Sequence, residues 1–286
     1  MEVLVHGGAG DAPEEPDARQ SDLQAAVEAA RQEETPLDGV ETAIRTLETA
    51  PRFNAGVGGA VQSDGVPRTD AGLMRSEGSV GAVCSLEGVE HAISAARVVL
   101  EETPHVLLAG ENASELAADY GIETDVDLWT EASRTRWEGV DEPPRTSRRD
   151  HLEWVRRRFG GSDTVGAVAA DGDRVAAGTS TGGRWFALAG RVGDVPQVGS
   201  GFFANEHGAA SATGAGEDIA KTHLTRLAVA NLESGLDASS AAERALETLI
   251  EETGSHAGVI VMTPHGDVGE ATNAESMQTG TSRSLE

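Results

Sequence analysis

Residues 160–183 read Gly-Gly-Ser-Asp-Thr-Val-Gly-Ala-Val-Ala-Ala-Asp-Gly-Asp-Arg-Val-Ala-Ala-Gly-Thr-Ser-Thr-Gly-Gly, and this stretch decides the fold. Two apolar runs separated by Asp-Gly-Asp predict a β-hairpin. A two-residue loop at positions 172–173 pairs Thr164 with Thr181, whereas a loop one residue earlier pairs Thr164 with Thr179. Either register brings two threonine hydroxyls together at the open end of the hairpin.

A threonine that starts a buried strand, after a flexible Gly-Gly-Ser-Asp segment, suggests a nucleophile that frees its own amine. The hydroxyl of Thr164 needs a base, and the nearest candidate is its own α-amine. That amine is an amide until the Asp163–Thr164 bond is cut. A free α-amine has a pKa of about 7.7–8.0, so it can act as a base near neutral pH. The segment alone also suits an ordinary core strand, because threonine is common in strands.

Further motifs lie on both sides of this hairpin. Gly190–Asp194 reads Gly-Arg-Val-Gly-Asp, and Ser211–Glu217 reads Ser-Ala-Thr-Gly-Ala-Gly-Glu. Before the hairpin come Val3–Gly10 (Val-Leu-Val-His-Gly-Gly-Ala-Gly), Phe53–Gly58 (Phe-Asn-Ala-Gly-Val-Gly) and Asp70–Met74 (Asp-Ala-Gly-Leu-Met). In this order and spacing the chain resembles the plant-type L-asparaginase / isoaspartyl peptidase family of N-terminal-nucleophile hydrolases. The resemblance covers nearly the whole chain and is more specific than any one glycine-rich motif.

The resemblance implies an α/β (α+β) fold, a four-layer αββα sandwich of the N-terminal-nucleophile hydrolase type. The sequence shows strands and amphipathic helices in an order that fits two central sheets between helical layers. We expect residues 1–286 to form a single domain. Autocleavage would divide it into an α subunit, residues 1–163, and a β subunit, residues 164–286.

Three local expectations accompany this fold. Residues 121–163 are polar and irregular, which predicts a flexible linker with a short helix near residues 149–158 that ends at the cleavage bond. Residues 216–233 show the pattern of one continuous helix. The tail, residues 279–286, is expected to be disordered.

The resemblance also assigns catalytic roles. Thr164 would be the nucleophile and the new N-terminus, and Thr181 would hydrogen-bond the freed amine or the attacking hydroxyl. Thr213 and Gly214 would form an oxyanion hole from a hydroxyl and a backbone N–H. Asn54 would lie near the scissile bond and assist cleavage or oxyanion binding. In isolation, the segment around Thr213 also suits a tight turn before a helix.

A second group of residues would bind substrate. Arg191 would bind the α-carboxylate, which suits a planar bidentate cation. Asp194 would accept a hydrogen bond from the α-ammonium group, and Gly216 would line the same pocket. Because Arg191 and Asp194 are three residues apart, a local surface ion pair is the alternative interpretation of this pair.

Three segments depart from the family pattern. Arg184–Ala189 stands where relatives usually carry an Asn-Lys pair, which leaves the leaving-group preference open. Arg75–Glu77 replaces the usual Asp-Gly, and Ala215 stands where many members have a second threonine. None of these changes removes a catalytic group.

The favoured function is an autoprocessed threonine amidohydrolase that converts L-asparagine to L-aspartate and ammonia. Cleavage of β-aspartyl (isoaspartyl) dipeptides is a further expected activity. One alternative is a glycosylasparaginase-like hydrolase, which the single cysteine and the missing signal sequence disfavour. The other is an uncleaved, non-catalytic acidic binding protein. No cofactor is expected, apart from a structural monovalent cation near the Asn54 loop.

Composition limits the partners and the location. Asp and Glu number 48 against 22 Lys and Arg, for a net charge of −26, and Lys221 is the single lysine. This surface excludes general electrostatic binding to nucleic acid. It resembles proteins of salt-loving archaea, in which molar salt screens self-repulsion. We therefore expect a halophilic, cytoplasmic protein without membrane segments, and the resemblance implies an (αβ)₂ homo-oligomer of processed protomers acting on a small-molecule substrate.

Overall fold

A computed structural model of the chain describes residues 1–141, 143, 147–161 and 163–283. The strands are β1 Glu2–Gly10, β2 Thr69–Arg75, β3 Val80–Leu86, β4 Leu107–Ala109, β5 Val165–Ala170, β6 Val175–Thr181, β7 Phe202–Asn205, β8 Gly208–Gly214, β9 Ala257–Met262, β10 Val268–Thr272 and β11 Ser276–Thr281. The helices are α1 Pro16–Ala30, α2 Pro36–Thr49, α3 Ala92–Glu102, α4 Gly110–Asp119, α5 Glu131–Glu138, α6 Arg148–Arg158, α7 Gly216–Thr222, α8 Leu224–Glu233 and α9 Ala238–Thr253.

Within these described ranges the strands form two sheets that pack face to face. The first sheet has the order β11-β1-β5-β6-β2-β3-β4, and the second has the order β10-β9-β8-β7. Apolar residues of α1 to α4 pack on the outer face of the first sheet, and those of α7 to α9 pack on the outer face of the second. A third apolar cluster, which includes Val168, Phe202 and Ile260, fills the space between the sheets. This arrangement confirms the predicted αββα sandwich.

The central hairpin adopts the first of the two predicted registers. Val165 pairs with Ser180, and Ala170 pairs with Val175. Thr164, one residue before the first of these pairs, is therefore aligned with Thr181. The turn closes with the Asp171 N–H donating to the carbonyl of Arg174 at 3.2 Å. The register places the two threonines at the same end of the strands.

The helix predicted over residues 216–233 is interrupted. His223 has a φ of 52°, a left-handed conformation that ends α7 before α8 begins. The segment before this helix also contains two strands, β7 and β8, which the sequence pattern did not reveal. Residues of β8 are buried throughout, and their small side chains (Gly, Ala, Ser, Thr) show no apolar alternation. β8 ends at Gly214, and α7 begins at Gly216.

The segment predicted as a flexible linker carries two helices, α5 and α6. Trp154 of α6 is 2% exposed and lies in an apolar cluster with Val155 and Phe186, against which Trp137 of α5 packs. The ring centroids of Trp154 and Phe186 are 5.5 Å apart. The prediction of an irregular segment is therefore wrong over α5, which aromatic packing orders, whereas α6 agrees with the short helix expected near residues 149–158. Residues 142, 144–146 and 162 lie outside the described residues.

The prediction of a disordered tail is also wrong over the described residues 279–283. Thr279 and Thr281 belong to β11, which pairs with β1 through His6 and Leu4. The Ser282 N–H then donates to the carbonyl of Val3 at 3.0 Å. Backbone pairing orders this segment although its side chains are polar. Residues 284–286 lie outside the described part of the chain.

None of the helices in the described ranges combines the length and the apolar character that a membrane span requires.

Because the two sheets are in close contact at Gly72, we expect Gly72→Ala to lower the thermal stability. A Cβ on Gly72 would overlap the ring of Phe202, which is fully buried in the second sheet. Overpacking of this kind costs about 1–3 kcal/mol of unfolding free energy. We expect the melting temperature to fall by about 5 °C. Thermal unfolding of the Thr164→Ala chain, in which the expected cleavage is blocked, gives the measurement. Gly139→Ala is the matched control, since its Cβ would meet no atom closer than 3.3 Å; equal shifts for both variants would contradict the packing.

Candidate active site

The two threonines of the hairpin lie next to each other at the bond before Thr164. Thr164 Oγ1 is 3.4 Å from Thr181 Oγ1. The Thr181 hydroxyl donates to the carbonyl of Asp163 at 3.1 Å, and it accepts from the Gly183 N–H at 3.0 Å. Both threonines are buried, with 6% and 3% exposure. The hydrogen bonds thus fix Thr181 between the Thr164 hydroxyl and the Asp163 carbonyl.

Asn54 holds the same carbonyl from the other side. Its Nδ2 donates to the oxygen of Asp163 at 2.7 Å and to that of Gly183 at 2.6 Å. Its Oδ1 accepts from the Ala60 N–H at 2.7 Å, which fixes the orientation of the amide. The Asp163 carbonyl therefore has two donors, Asn54 and Thr181. This is the arrangement that stabilises negative charge developing on a carbonyl oxygen.

Thr213 and Gly214 reach this site from the second sheet. The Asp163 side chain packs against Gly8, where a Cβ would overlap it. The neighbouring Ala9 N–H donates to Thr213 Oγ1 at 3.2 Å. Gly214 has a φ of 132°, and a Cβ there would lie 2.6 Å from backbone atoms of the following strand. The ends of β1, β5 and β8 therefore meet, which brings Thr213 and Gly214 near the Asp163–Thr164 bond.

Arg191, Asp194 and Gly216 form a second cluster. Arg191 Nη2 and Asp194 Oδ2 are buried and have no hydrogen-bond partner among the described residues. A Cβ on Gly216 would lie 2.5 Å from Asp194 Oδ1 and 2.9 Å from Arg191 Nη2, so glycine keeps this space open. Arg191 Nε donates to Glu217 Oε1 at 2.8 Å, and Asp194 is 5% exposed. The alternative of a surface Arg191–Asp194 ion pair is therefore wrong.

Burial shifts the pKa values of the carboxyl groups in and beside this cluster. It raises the pKa of Asp194 to about 6, an effect that Arg191 opposes and Glu217 reinforces. It also raises the pKa of Asp70 to about 7, where the Ser85 N–H and Arg191 favour the ionised form and Asp194 opposes it. Two carboxyl groups with raised pKa values thus surround one guanidinium group. Such perturbed groups are typical of functional sites.

Sequence reasoning missed the partners of Arg191. Glu217 and Asp70 both lie within the motifs quoted above, but the motifs by themselves assign no role to either. Glu217 sits in the first turn of α7, and its other oxygen, Oε2, lies 3.4 Å from Arg184 Nη1. Arg184 belongs to the segment that departs from the family pattern. An acidic residue directly after Gly-Ala-Gly at a helix start was the available signal.

The segment before the scissile bond covers part of the site in the intact chain. The ring of Phe159 lies 4.1 Å from the Arg184 guanidinium and 6.0 Å from that of Arg191, measured to the ring centroid. A cleft of about 850 Å³ approaches from the other side, and Asn54 and Asp163 are among its lining residues. The scissile bond thus borders an open cleft, while Arg191 lies beneath an aromatic ring.

The Asn54 loop is also the expected place for a monovalent cation. The carbonyl of Glu48 accepts from the Val57 N–H at 2.9 Å, and that of Arg52 accepts from Arg19 Nη1 at 2.6 Å. Both oxygens already accept hydrogen bonds within the protein. The cation stays a prediction, and the proposed mechanism does not require it. Across the described residues, no group of three or more His, Cys, Asp or Glu side chains is arranged to hold a metal ion.

Comparison with known proteins agrees with this geometry. The sequence profile of the asparaginase family matches residues 1–285. The chain is 38% identical to a plant-type L-asparaginase of Pyrococcus abyssi, over 96% of this chain and 94% of the relative. It is 37% identical to an isoaspartyl peptidase/L-asparaginase of Macaca fascicularis, over 93% of this chain and 87% of the relative. The chain therefore belongs to the asparaginase family.

The buried carboxyl of Asp70 predicts a pH-dependent stability. Its pKa in the folded state is about 7 against an ordinary value of 3.8, so unfolding releases a proton between these pH values. Stability due to this group therefore falls as the pH rises through that window. Asp70→Asn keeps an acceptor for the Ser85 N–H and removes the effect. We expect the variant to raise the melting temperature of the uncut Thr164→Ala chain by about 5 °C at pH 8 and by less at pH 5. An equal gain at both pH values would contradict this account.

Proposed function

We propose that this chain is a self-cleaving threonine amidohydrolase that converts L-asparagine to L-aspartate and ammonia and also cleaves β-aspartyl dipeptides. The relatives named above carry these two activities in their names. The observation that supports the proposal most directly is the pair of buried, unpartnered atoms Arg191 Nη2 and Asp194 Oδ2 in the described structure. Beside Gly216, the unpaired guanidinium nitrogen can bind the carboxylate of an α-amino acid, and the unpaired carboxylate oxygen can bind its ammonium group.

Self-cleavage begins with attack of Thr164 Oγ1 on the carbonyl carbon of Asp163. An ester bond to Oγ1 forms, the C–N bond breaks, and the hydroxyl proton ends on the departing nitrogen as a free amine. Asn54 and Thr181 donate to the carbonyl oxygen as its negative charge develops. Water then adds its hydroxyl to the Asp163 carbon and returns a proton to Oγ1. Two chains result, the second beginning with Thr164.

Substrate hydrolysis repeats this chemistry on the side-chain amide of asparagine. The freed amine of Thr164 accepts the proton of its own hydroxyl, and Oγ1 attacks the amide carbon. Thr213 and Gly214 bind the oxyanion, and ammonia leaves with the transferred proton. Water hydrolyses the resulting aspartyl ester to release L-aspartate. Thr181 keeps the hydroxyl of Thr164 oriented throughout both steps.

Arg191, Asp194 and Gly216 hold the end of the substrate that does not react. Arg191 binds the α-carboxylate, while Asp194 accepts from the α-ammonium beside Gly216. Glu217 fixes the guanidinium of Arg191 through its 2.8 Å hydrogen bond. No observation favours the two alternatives, a glycosylasparaginase-like hydrolase and an uncleaved binding protein.

The first prediction from this function concerns processing. The wild-type chain separates into fragments of residues 1–163 and 164–286, whereas Thr164→Ala remains one chain because it has no hydroxyl to attack Asp163. Intact-mass spectrometry of both purified proteins provides the measurement. Asparagine hydrolysis by a wild-type chain that remains uncut would refute the mechanism.

The second prediction separates recognition from catalysis. Arg191→Ala raises KM for asparagine and leaves self-cleavage largely unchanged, because cleavage involves no free amino acid. Thr213→Ala instead lowers kcat, by about 10²-fold, since it removes a donor to the oxyanion. Steady-state ammonia release gives both parameters. An analogue without the α-carboxylate is treated alike by the wild type and Arg191→Ala. An unchanged KM for asparagine in Arg191→Ala would remove the substrate assignment.

We also propose an (αβ)₂ assembly of processed protomers that functions in the cytoplasm of a salt-accumulating cell. The assembly is the one that the family resemblance implies, and the composition, with a net charge of −26 and one lysine, supports its dependence on salt. Two strongly acidic protomers repel each other at low ionic strength, and molar salt shortens the range of this repulsion to about 3 Å. We expect light scattering to report the dimer of processed protomers in molar salt and dissociation at low salt. A monomer under both conditions contradicts the assembly.

A further inference from the structure

Arg19 is a buried cation that the mechanism above does not use. It lies on α1 with 9% exposure. Its Nη2 donates to the carbonyl of Gly7 at 2.7 Å, and its Nη1 donates to that of Arg52 at 2.6 Å. The guanidinium carbon also lies 4.6 Å from the centroid of the Phe53 ring. Its Nε donates to Gln278 Oε1 at 3.3 Å, so each nitrogen of the group makes a hydrogen bond. Because a guanidinium group is planar and its donors have fixed directions, these contacts determine the orientation of its Nη2 end.

That end of the group lies beside Asp163, the residue before the proposed cleavage bond. Arg19 Nη2 is 3.8 Å from Asp163 Oδ2, within ion-pair distance. The opposite side of the Asp163 carboxyl group packs against Gly8, which has a φ of 120° and no room for a Cβ. The carboxyl group therefore lies between Arg19 and Gly8, with 37% of the side chain exposed to the cleft. Burial raises its pKa to about 6, Asp11 adds to this effect, and Arg19 opposes it.

The backbone of Asp163 is held at the same time. Asn54 and Thr181 donate to its carbonyl oxygen at 2.7 Å and 3.1 Å. With the side chain held by Arg19 and the carbonyl held by these donors, rotation of the peptide plane is restricted from two directions. The plane determines how the carbonyl carbon faces Thr164 Oγ1. Small errors in such an arrangement are costly, since a misplacement of about 1 Å reduces a rate by as much as 10²-fold.

We infer that Arg19 is a positioning residue for self-cleavage that acts through the side chain of Asp163. The inference depends on the cleavage step of the proposed function. It concerns maturation alone, because the hydrogen bonds and ion pair of Arg19 do not involve Arg191, Asp194 or Gly216 in the described structure. After cleavage, Asp163 is the last residue of a separate chain.

A double-mutant cycle distinguishes this role from a contribution to the fold. Full-length chains are made by cell-free synthesis, and the fraction cleaved is followed over time on denaturing gels. We expect Arg19→Met to slow cleavage about tenfold in the wild-type chain and less than about twofold in the Asp163→Ala background. Asp163→Asn provides a second background that keeps the shape of the side chain but removes its charge.

Arg52→Met is the matched control. Its guanidinium group pairs with Glu15 at 3.0 Å and Asp22 at 3.4 Å on the same face of the molecule. We expect it to change the cleavage rate less than about twofold, as for an exposed ion pair. Arg19→Lys keeps the charge without the planar fork, and we expect an intermediate slowing of about threefold. It replaces Arg19→Met in the cycle if that variant does not fold by circular dichroism.

A second measurement tests the restriction to maturation. Asparagine turnover per cleaved protomer of Arg19→Met stays within about twofold of the wild type, because Arg19 makes no hydrogen bond or ion pair to Thr164, Thr213 or Arg191 in the described structure. Equal slowing in the wild-type and Asp163→Ala backgrounds, an unchanged cleavage rate in Arg19→Met, or a matching loss of turnover per cleaved protomer each overturns the inference. A wild type that does not cleave at all contradicts the proposed function itself. A wild type that cleaves without dependence on Arg19 contradicts only this inference.

Discussion

Two hydrogen bonds that the Asp163 carbonyl accepts from Asn54 and Thr181 hold this carbonyl beside the Thr164 hydroxyl, and the proposed chemistry requires both. Asn54 follows α2, and Thr181 ends β6, so these donors converge only after the first sheet and its helices have packed. The amine needed for hydrolysis is locked in a peptide bond until then. Folding must therefore precede the chemistry, because the unfolded chain has no means of holding this carbonyl beside the Thr164 hydroxyl.

The two sheets contribute different groups around Thr164. In the proposed mechanism the first sheet supplies the nucleophile Thr164 and its neighbour Thr181, while the second supplies Thr213 and Gly214. Asp70 and Asp194 carry raised pKa values beside Arg191, so the substrate-binding side of the site contains buried carboxyl groups that lower stability at neutral pH. Proteins commonly accept this cost at sites that must bind charged ligands.

Local sequence rules predicted the hairpin and the motifs well, because strand pairing across a short turn depends on neighbouring residues. The alignment of Thr164 with Thr181 followed from one of two loop positions, and only the structure could choose between them. The partners of Arg191 and the contacts of Arg19 could not be predicted in this way. They join side chains from distant segments, such as Arg19 and Asp163, and no periodicity in the sequence encodes such a contact.

Two further differences have the same physical origin. β11 pairs with β1 from the opposite end of the chain, so backbone hydrogen bonding orders a polar tail that local composition marks as disordered. Residues of α5 are polar along most of its length, yet Trp137 anchors this helix against Trp154 and Phe186. In both cases a few long-range contacts outweigh the local propensity of the segment.

The most direct test of the central claim is to block the freed amine of Thr164. Lys221 is the single lysine of the chain. In the processed Lys221→Arg variant the two N-termini, Met1 and Thr164, therefore carry the only primary amines. Acetylation of this processed variant, followed by peptide mass spectrometry, relates modification of each terminus to asparagine hydrolysis. The account predicts that activity falls in proportion to acetylation at Thr164 and that asparagine slows this modification. Full activity with a completely acetylated Thr164 amine would contradict it.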